Sequence, residues 1–443
     1  MAVMHNHLPD ARTILSRIRD GQTTARAVTD ACLDRIAGRD ALVGAWSHID
    51  PDLARAQADL LDQASTRGPL HGLPIGVKDV LLTRDMPTRY GCDLYKDHHL
   101  PVDAACVSML RQAGAVILGK TETVELASIG APPRTRNPHA PDHTPGGSSS
   151  GSAAAVADGQ VPMALGTQTG GSIIRPASFC GTWALKPTWG TVSTEGGKPF
   201  APSLDTIGWF GRSAHDLSLL LDVFDPMPQS PTVAPSIADA SIGVWHTAGW
   251  DRAETATRDA MEAAISRLRA AGATVTRIDP GGIFNDLAAI HQIVMLAEGQ
   301  RSFLAEYRAA PQRLHPRIAD MVRTGGGFSA TDLRAAQDTG ASARARFDAL
   351  AGDFDAILSP STIAEAPPGL ASTGDLLFNG LFTLLHVPCV NMPLFHAGNG
   401  LPVGLTLTGP RTADRQVIAM AAAIAAAIAG DTWRETLDGP MQP

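Results

Sequence analysis

The sequence predicts an α/β fold in which a sheet is covered by helices. Short apolar segments, read as strands, alternate along the chain with longer segments whose apolar residues recur every three or four positions, as in helices. A strand–helix–strand order of this kind is typical of a largely parallel sheet. Hydrophobic residues make up 44% of the 443 residues and charged residues 18%, which is enough apolar material for a sizeable core.

The length leaves the number of domains open. A chain of 443 residues favours two or three domains. One α/β domain built on a single wide sheet is equally compatible with this length, because open sheets of about 8–15 strands occur in large enzymes.

The first half of the chain holds the clearest alternation of the two element types. Residues 10–39 are predicted to form two helices separated at Gly21, with Thr23 or Thr24 as the N-cap of the second. Further helices are predicted at 51–66, 103–113, 152–158 and 215–224. Strands are predicted at 73–77, 115–118 and 163–165. The Gly- and Pro-rich segment 195–203 is interpreted as a loop near a site.

The second half of the chain begins after residues 225–240, which are rich in Pro and Ser and are interpreted as a linker. This linker need not be a domain boundary. Strands are predicted at 242–245, 274–278, 355–358 and 401–407, and helices at 254–271 and 413–429. Residues 284–350 are predicted to be mostly helical, with an interruption at 324–327.

The charge and cysteine content argue against several classes of protein. The formal net charge is −8 and the sequence pI is about 5.9. Nucleic acid is therefore not the expected partner, since no basic stripe is available to neutralise phosphates. The five cysteines are odd in number and contain no CxxC pair, which argues against a disulfide framework or a zinc ribbon and favours a reducing cytosol.

Targeting and membrane signals are not visible in the sequence. Residues 1–15 lack the apolar core of a signal peptide. The most apolar segment, 417–429, is shorter than the roughly 18 residues of a membrane span and is interpreted as a buried helix. We therefore expect a cytoplasmic protein that does not engage the membrane.

Two Gly-Ser turns are the strongest chemical signal, GGSSSG at 146–151 and TGGS at 169–172. Glycine lets the backbone approach a ligand closely, and a serine hydroxyl becomes a nucleophile once a base removes its proton. The first three residues of the second turn can direct backbone N–H groups at one point beside Ser172, as an oxyanion hole requires. The alternative is a glycine-rich turn that only begins a helix.

Lys78 follows the strand predicted at 73–77 and is the candidate base. A lysine at a strand end is usually a solvated surface residue. A buried lysine, in contrast, loses its proton readily because desolvation disfavours the charged ammonium. The neutral amine can then act as a general base.

Two short motifs indicate other chemistry, and their context argues against both. Residues 114–121 match the phosphate-binding pattern GxxxxGKT, but the four middle residues, AVIL, look like a strand and not a loop. Residues 147–151 match the nucleophile elbow GxSxG, but the preceding HAPDHTP cannot form the apolar strand that the elbow needs. A Ser149–His–Asp esterase with His386 or His396 as base stays as a weak alternative.

Metal binding has little support in the sequence. There is no HExxH motif, and the pairs His98–His99 and His139–His143 lie in polar, Pro-rich surroundings typical of surface histidines. We expect neither a metal nor a cofactor.

Seven longer motifs are spread over most of the chain. They are GPLHGLPIGVKD at 68–79, AGAVILGKTETVELA at 113–127, TPGGSSSGSAAA at 144–155, ALGTQTGGSIIRPASFCG at 164–181, LKPTWG at 185–190, SLDTIGWFGRSAHDL at 203–217 and LPVGLTLTG at 401–409. Together they resemble the amidase signature family of Ser–cis-Ser–Lys hydrolases, from about residue 10 to residue 430. The resemblance is weakest over 284–350.

This resemblance implies a fold and a set of site residues. The fold is a single α/β domain over 1–443 with a central mixed, twisted sheet wrapped by helices. Its core would comprise 10–282 and 351–430, and 283–350 would form a variable helical cap. Ser172 would be the nucleophile, Ser148 the serine after a cis peptide bond, and Lys78 the base. The oxyanion hole would be built from the backbone amides of Thr169, Gly170 and Gly171.

Three departures from the common family pattern concern the site. Gln168 stands where the family usually has Asp, Arg175 is shifted by one position, and GGSSSG replaces GGSSGG. These variants, in GTQTGGSIIRP, are similar to the malonamidase-like branch, in which the shifted arginine binds a substrate carboxylate. Arg175 could do so through a bidentate contact. Alternatively, it pairs with a nearby carboxylate of the protein and never meets substrate.

The resemblance implies a hydrolase that cleaves the C–N acyl bond of a small amide, anilide or carbamate (urethane) substrate. Esters can follow the same acyl-transfer route, and a homodimer is compatible with this prediction. One alternative is the glutaminase (A-type) subunit of a tRNA-dependent amidotransferase, which needs a partner surface and an ammonia channel. Another is a non-catalytic binding protein on the same fold.

Overall fold

Eleven strands form one mixed sheet within the described part of the chain. The computed structural model describes residues 8–65, 67–227 and 236–428. The strands, numbered in chain order, are β1 (Trp46–Ile49), β2 (Pro74–Lys78), β3 (Val116–Thr121), β4 (Met163–Gln168), β5 (Trp183–Lys186), β6 (Thr206–Gly211), β7 (Ser241–Val244), β8 (Thr274–Arg277), β9 (Ala356–Pro360), β10 (Cys389–His396) and β11 (Pro402–Thr408). Their order across the sheet is β1-β3-β2-β4-β6-β5-β10-β11-β9-β7-β8.

The helices within the described ranges pack against this sheet and against one another. The α-helices are α1 (Ala11–Arg19), α2 (Ala25–Val43), α3 (Pro51–Asp62), α4 (Ala105–Gln112), α5 (Ser150–Ala157), α6 (Ile174–Cys180), α7 (Ala214–Phe224), α8 (Thr255–Ala270), α9 (Leu287–Ser302), α10 (Leu304–Ala309), α11 (Pro316–Thr324), α12 (Ala330–Ala351), α13 (Gly380–Leu384) and α14 (Asp414–Ile428).

The sheet has two parallel groups of three strands, an antiparallel centre and one antiparallel edge strand, β1, which pairs with β3. β2 pairs in parallel with β3 and β4, and β7 pairs in parallel with β8 and β9. The strands between β4 and β9 all pair antiparallel. The expectation of a largely parallel sheet is therefore wrong for the centre, where β10 and β11 are joined by a short turn instead of a crossover helix. The single α/β domain with a mixed sheet is confirmed.

Most predicted elements agree with the structure within a few residues. The first two helices are separated around Gly21, and the hydroxyl of Thr24 accepts a hydrogen bond from the N–H of Ala27 at 3.1 Å, so Thr24 is the N-cap. The sequence analysis missed β1, β5, β6 and β10, and the short helices α6 and α13. Strands β5 and β6 are buried on both faces, so they lack the alternation of polar and apolar residues that reveals a strand.

Three segments meet at one edge of the sheet. Parallel neighbours have their carboxyl ends at the same edge, and β2 ends at Lys78 while β4 ends at Gln168. The second Gly-Ser turn follows β4 directly. The first Gly-Ser turn leads into α5, which packs against both strands. This convergence brings the candidate site together.

Several predicted features are only partly described. Thr66, the middle of the predicted linker (228–235) and Ala429 lie outside the described residues. Helices α9 to α12 occupy most of 283–350, and α9 packs against α11, α12 and α13. The role of this region as a variable cap stays a prediction.

The described ranges contain no helix that is both long enough and apolar enough to cross a membrane. All five cysteines are buried and carry free thiols.

Candidate active site

Lys78 is the last residue of β2, and its side chain is completely buried. Its Nζ lies 2.8 Å from Oγ of Ser148 and 2.7 Å from Oγ1 of Thr167. A longer contact, at 3.4 Å, joins Nζ to the backbone carbonyl of Thr167. Within the described ranges, the hydrogen-bond partners of this amine are therefore hydroxyls and a carbonyl, not carboxylates.

Burial lowers the pKa of Lys78 well below its usual value of 10.5, and the charge of Asp205 acts in the opposite direction. The low pKa favours the neutral amine, which has two N–H donors and one lone pair. Thr167 offers two acceptors for the N–H groups. The lone pair is then left to face the hydroxyl of Ser148, as a base requires.

Ser148 belongs to the first Gly-Ser turn, and the peptide bond between Gly147 and Ser148 is cis. The carbonyl of Ser148 accepts a hydrogen bond from the N–H of Val124 at 3.2 Å. The N–H of Ser149 donates to the carbonyl of Ser172 at 3.3 Å. The two Gly-Ser turns therefore lie against each other, with Ser148 between Lys78 and the second turn.

Ser149, the serine of the elbow pattern, is held by the backbone of β4. Its hydroxyl donates to the carbonyl of Thr167 at 3.1 Å and accepts from the N–H of Thr167 at 3.2 Å. His386 contacts the carbonyl of Ser203 at 2.8 Å instead. Among the described residues, neither His386 nor His396 hydrogen-bonds Ser149, so the structure does not assemble the serine–histidine pair of the elbow alternative.

Gln168 organises the second Gly-Ser turn. Its Oε1 accepts hydrogen bonds from the N–H groups of Ile173 at 2.8 Å and Ile174 at 3.0 Å. Its Nε2 donates to Oγ1 of Thr383 at 3.0 Å, and that hydroxyl contacts the carbonyl of Gly170 at 2.8 Å. The amide of Gln168 thus ties both ends of the turn to one side chain.

The second Gly-Ser turn leaves several backbone N–H groups without an acceptor among the described residues. Nε2 of His291 lies 2.8 Å from the carbonyl of Thr169, and because a carbonyl only accepts, this nitrogen carries the proton. The N–H groups of Gly170, Gly171 and Ser172 donate to no acceptor in the described part of the chain. They are available for an oxyanion that forms beside Ser172.

Asp205 supports the same turn from the other side. Its Oδ1 accepts a hydrogen bond from Oγ1 of Thr169 at 2.5 Å, and its Oδ2 accepts from the N–H of Phe200 at 2.8 Å. Burial raises the pKa of this carboxyl to about 6. Asp205 therefore links the oxyanion turn to the loop predicted at 195–203.

Thr167, Asp205 and His291 were not predicted from the sequence. Thr167 stands in the motif at 164–181, but its place beside Lys78 depends on the parallel register of β2 and β4, which only the structure shows. Asp205 lies in the motif at 203–217, but no role was assigned to it. His291 is a single histidine on a distant helix, and no local pattern could have assigned it to the turn.

Arg175 lies in α6 and is buried. Its guanidinium donates to the carbonyl of Gly147 at 2.7 Å, the carbonyl of Gly374 at 3.0 Å and Oγ1 of Thr373 at 3.1 Å. No carboxylate of the described residues pairs with it, and its Nε has no partner there. Burial lowers the pKa of Arg175 to about 10. The guanidinium thus connects the first turn to the loop at 373–374.

A small cavity of about 60 Å³ adjoins the site. Thr167, Thr169 and Asp205 line one side of it, and Lys198 and Phe200 line the other. The loop predicted at 195–203 therefore reaches the site. Ser172 itself is 8% exposed, so its surroundings exclude most solvent.

The remaining chemical motifs are structural in this molecule. Residues 116–121 of the GxxxxGKT pattern form β3, and Nζ of Lys120 lies 3.1 Å from Oδ1 of Asp79. Among the described residues, no group of three or more His, Cys, Asp or Glu side chains could hold a metal ion.

Comparison with known proteins assigns the class and then the family. A family model described as Amidase matches residues 27–418. The matched residues include both Gly-Ser turns and most of the mixed sheet. The match therefore places the chain in a class of hydrolases that act on amides. The chain belongs to the amidase signature family.

Several relatives are similar over most of their length. The chain is 35% identical over 384 residues to the AtzE subunit of 1-carboxybiuret hydrolase from Pseudomonas sp. (strain ADP), which covers 80% of this chain and 81% of that protein. It is 31% identical over 440 residues to the A-type subunit of Glutamyl-tRNA(Gln) amidotransferase from Chloroflexus aggregans (strain MD-66 / DSM 9485), with coverages of 88% and 90%. The solved structure of a peptide amidase from Stenotrophomonas maltophilia superposes with a TM-score of 0.79 at 27% identity, covering 95% of this chain and 96% of that one.

Proposed function

We propose that this enzyme hydrolyses the C–N acyl bond of a small-molecule amide through an acyl-enzyme on Ser172, with Ser148 as proton relay and Lys78 as base. The observation that carries the proposal is the environment of Lys78. Its amine is buried, has no carboxylate partner among the described residues and lies 2.8 Å from Oγ of Ser148. A buried amine with a lowered pKa beside a serine hydroxyl is suited to act as a general base.

Protons move along one line in this mechanism. Lys78 takes a proton from Ser148, and Ser148 takes one from Ser172. Oγ of Ser172 forms a bond to the acyl carbon, and the N–H groups of Thr169, Gly170 and Gly171 stabilise the oxyanion.

When the tetrahedral intermediate collapses, the C–N bond breaks. The proton returns from Lys78 through Ser148 to the leaving amine. Water then attacks the acyl-enzyme through the same relay, which releases the acid and restores the hydroxyl of Ser172.

The proposed substrate is an amide, an anilide or a carbamate, and the relatives favour an amide. They include a subunit of a carboxybiuret hydrolase and a peptide amidase. We propose Arg175 as a substrate-binding residue. A substrate carboxylate would bind the unpartnered Nε or replace one of the present partners, Gly147, Thr373 or Gly374.

A second candidate function is the glutaminase subunit of a tRNA-dependent amidotransferase. Relatives named as the A-type subunit of Glutamyl-tRNA(Gln) amidotransferase favour it, at 31% identity over 88% of this chain. The purified chain would then hydrolyse glutamine only in the presence of its partner subunits. Turnover of simple amides without any partner protein would reject this alternative.

The proposal is tested with the purified full-length chain and a panel of amides, anilides, carbamates and esters. We expect turnover of at least one amide, and an acyl adduct on Ser172 detected by mass spectrometry after rapid quenching. Ser172→Ala should lose turnover by about 10³-fold or more and form no adduct. Ser150→Ala is the matched control, because the Ser150 hydroxyl bonds the carbonyl of Gly146 at 2.7 Å and not Lys78. An adduct that persists in Ser172→Ala would refute the assignment.

A further inference from the structure

A larger cavity lies outside the candidate active site. Its volume is about 780 Å³, and it lies between α9, α12, the end of α13 and the loops that follow β5 and β11. None of the proposed catalytic or oxyanion residues lines it, nor does Arg175. Pockets for small molecules typically measure roughly 300–1,000 Å³. We call this cavity the Trp189 cleft and define it by Trp189, Arg344, Asp348, His386, Arg411 and Thr412.

One wall of the Trp189 cleft is flat and aromatic. The rings of Trp189 and His386 are stacked, with centroids 4.7 Å apart and planes 18° apart. The backbone N–H of Trp189 also donates to the backbone carbonyl of His386 at 3.1 Å, which holds the two residues together. Burial lowers the pKa of His386 to about 3, so the imidazole is neutral at pH 7. Trp189 remains 41% exposed, and its indole offers apolar surface to a planar ligand.

A second wall carries a cation without an acidic partner. Nη1 of Arg344 donates to the carbonyl of Leu384 at 3.1 Å, and no carboxylate of the described residues pairs with this guanidinium. Arg411 differs, because its Nε donates to Asp348 at 2.8 Å. Burial, followed by the charge of Arg411, lowers the pKa of Arg344. An anion bound in the cleft would bind the free N–H groups of Arg344 and offset the repulsion from Arg411.

The backbone of the cleft has an unusual conformation at two positions. His386 and Thr412 both adopt left-handed φ angles, 62° and 69°, without being glycines. This conformation is unfavourable for residues with a side chain, and it concentrates at ligand-binding and catalytic sites. Two of the six described non-glycine residues with such φ angles therefore line this one cavity, away from the proposed triad.

We propose that the Trp189 cleft binds a small planar anion, with its ring against Trp189 and its carboxylate or phosphate on Arg344. This inference does not depend on the proposed amidase mechanism, since the two sites share no residue. The shared chemistry is an aromatic ring joined to an acidic group.

Isothermal titration calorimetry of the full chain tests the proposal with indole-3-acetate and adenosine 5′-monophosphate as probes. We expect at least one probe to bind more tightly than indole or acetate alone, because each of these offers only one of the two contacts. Tighter binding of the nucleotide supports a phosphate ligand, and tighter binding of indole-3-acetate supports a carboxylate ligand. Absence of binding of both probes at millimolar concentration would overturn the proposal.

Variants separate the cleft from other surfaces. Arg344→Gln and Trp189→Ala should each weaken binding by about tenfold. Arg346→Gln, an exposed arginine on the same helix, should leave the Kd unchanged, as should Ser172→Ala. A thermal melt of each variant excludes unfolding as the cause of a weaker Kd. Equal binding in Arg344→Gln and Trp189→Ala, or loss of binding in Ser172→Ala, would show that the probe binds elsewhere.

Discussion

Lys78 and Lys120 are two buried lysines on neighbouring strands that meet very different partners. Nζ of Lys120, in β3, lies 3.1 Å from a carboxylate oxygen of Asp79 and 2.5 Å from Oγ1 of Thr88. Nζ of Lys78, in β2, contacts hydroxyls and a carbonyl instead. Two equally buried lysines therefore differ in one respect, since only Lys120 has a carboxylate partner among the described residues.

The difference shows that burial alone does not make a base. Burial lowers the pKa of both lysines, but for Lys120 the charge and hydrogen bond of Asp79 counteract it. For Lys78 the opposing charge is that of Asp205, and the pKa stays well below 10.5. Lack of a carboxylate partner is not sufficient either, because the buried amine of Lys186 bonds only the carbonyls of Pro187 and Val387 and its pKa is also lowered. What distinguishes Lys78 is that its amine lies beside the hydroxyl of Ser148.

Removal of the amine of Lys78 tests the chemical half of this comparison and has the largest expected effect. We expect Lys78→Met to lower kcat/KM by about 10²–10⁴-fold, the usual contribution of a general base. Its free energy of unfolding should change by only about 1–2 kcal/mol, because hydrogen bonds and no ion pair are lost. Steady-state kinetics and urea unfolding of the same preparation give both values. A wild-type value of kcat/KM in this variant would refute the assignment of Lys78 as the general base.

Removal of the amine of Lys120 tests the structural half. Lys120→Met leaves Asp79 buried without its partner, so the free energy of unfolding should fall by about 3–5 kcal/mol. The kcat of the folded fraction should stay within a few fold of wild type. Adding Asp79→Asn should recover part of the lost stability. A loss of kcat as large as that of Lys78→Met would abolish the distinction between the two lysines.

The pH dependence of stability sharpens the comparison further. The folded-state pKa of Lys78 is lowered, so between that pKa and 10.5 the unfolded chain binds one proton more than the folded chain. The free energy of unfolding should therefore rise with pH through this window. Lys78→Met should lose this component, and urea unfolding at several pH values would measure the difference. Parallel curves for both proteins would mean that Lys78 is not neutral in the folded state.

The hydroxyl of Thr167 tests how the amine is oriented. Thr167→Val removes the 2.7 Å contact to Nζ of Lys78 while keeping the shape of the side chain. We expect kcat to fall by about tenfold, the value of one buried hydrogen bond, with an unchanged KM. Thr167→Ser should retain most of the rate. If serine and valine are equally slow, the hydroxyl does not position Lys78.

The smallest expected effect on rate belongs to Ser149. Ser149→Ala should change kcat/KM by less than about threefold and lower the free energy of unfolding by about 1 kcal/mol, since its hydroxyl binds only the backbone of Thr167. Kinetics on the best substrate of the panel would measure it. A loss of several orders of magnitude would instead support the Ser149 esterase.

Much of the fold was predictable, because most helices have clear apolar periodicity and strands β2, β3 and β4 are short apolar runs. Strands β5 and β6 were missed because a completely buried strand has no alternation of polar and apolar residues and only its flanking residues mark it. The antiparallel centre of the sheet was also missed. Strand order depends on pairing between segments that are distant in the chain, and local spacing does not encode it.

The candidate site was predicted from motifs, but its contacts were not. Gln168 was noted only as a departure from a pattern, and Arg175 was expected to bind a carboxylate of the substrate or of the protein. In the structure, Gln168 accepts hydrogen bonds from the backbone N–H groups of Ile173 and Ile174. Arg175 donates hydrogen bonds to two carbonyls and a hydroxyl. The role of Arg175 as a substrate-binding residue stays a prediction.

By itself, the sequence determined the family, the α/β class and the three residues of the proposed triad, because these reside in continuous motifs. Only the tertiary structure decided which lysine has a counter-ion. Asp79 follows Lys78 directly in the chain and looks like its partner. The strand ends at Lys78 and the chain turns at Asp79, so the carboxylate of Asp79 meets Lys120 while the amine of Lys78 meets Ser148.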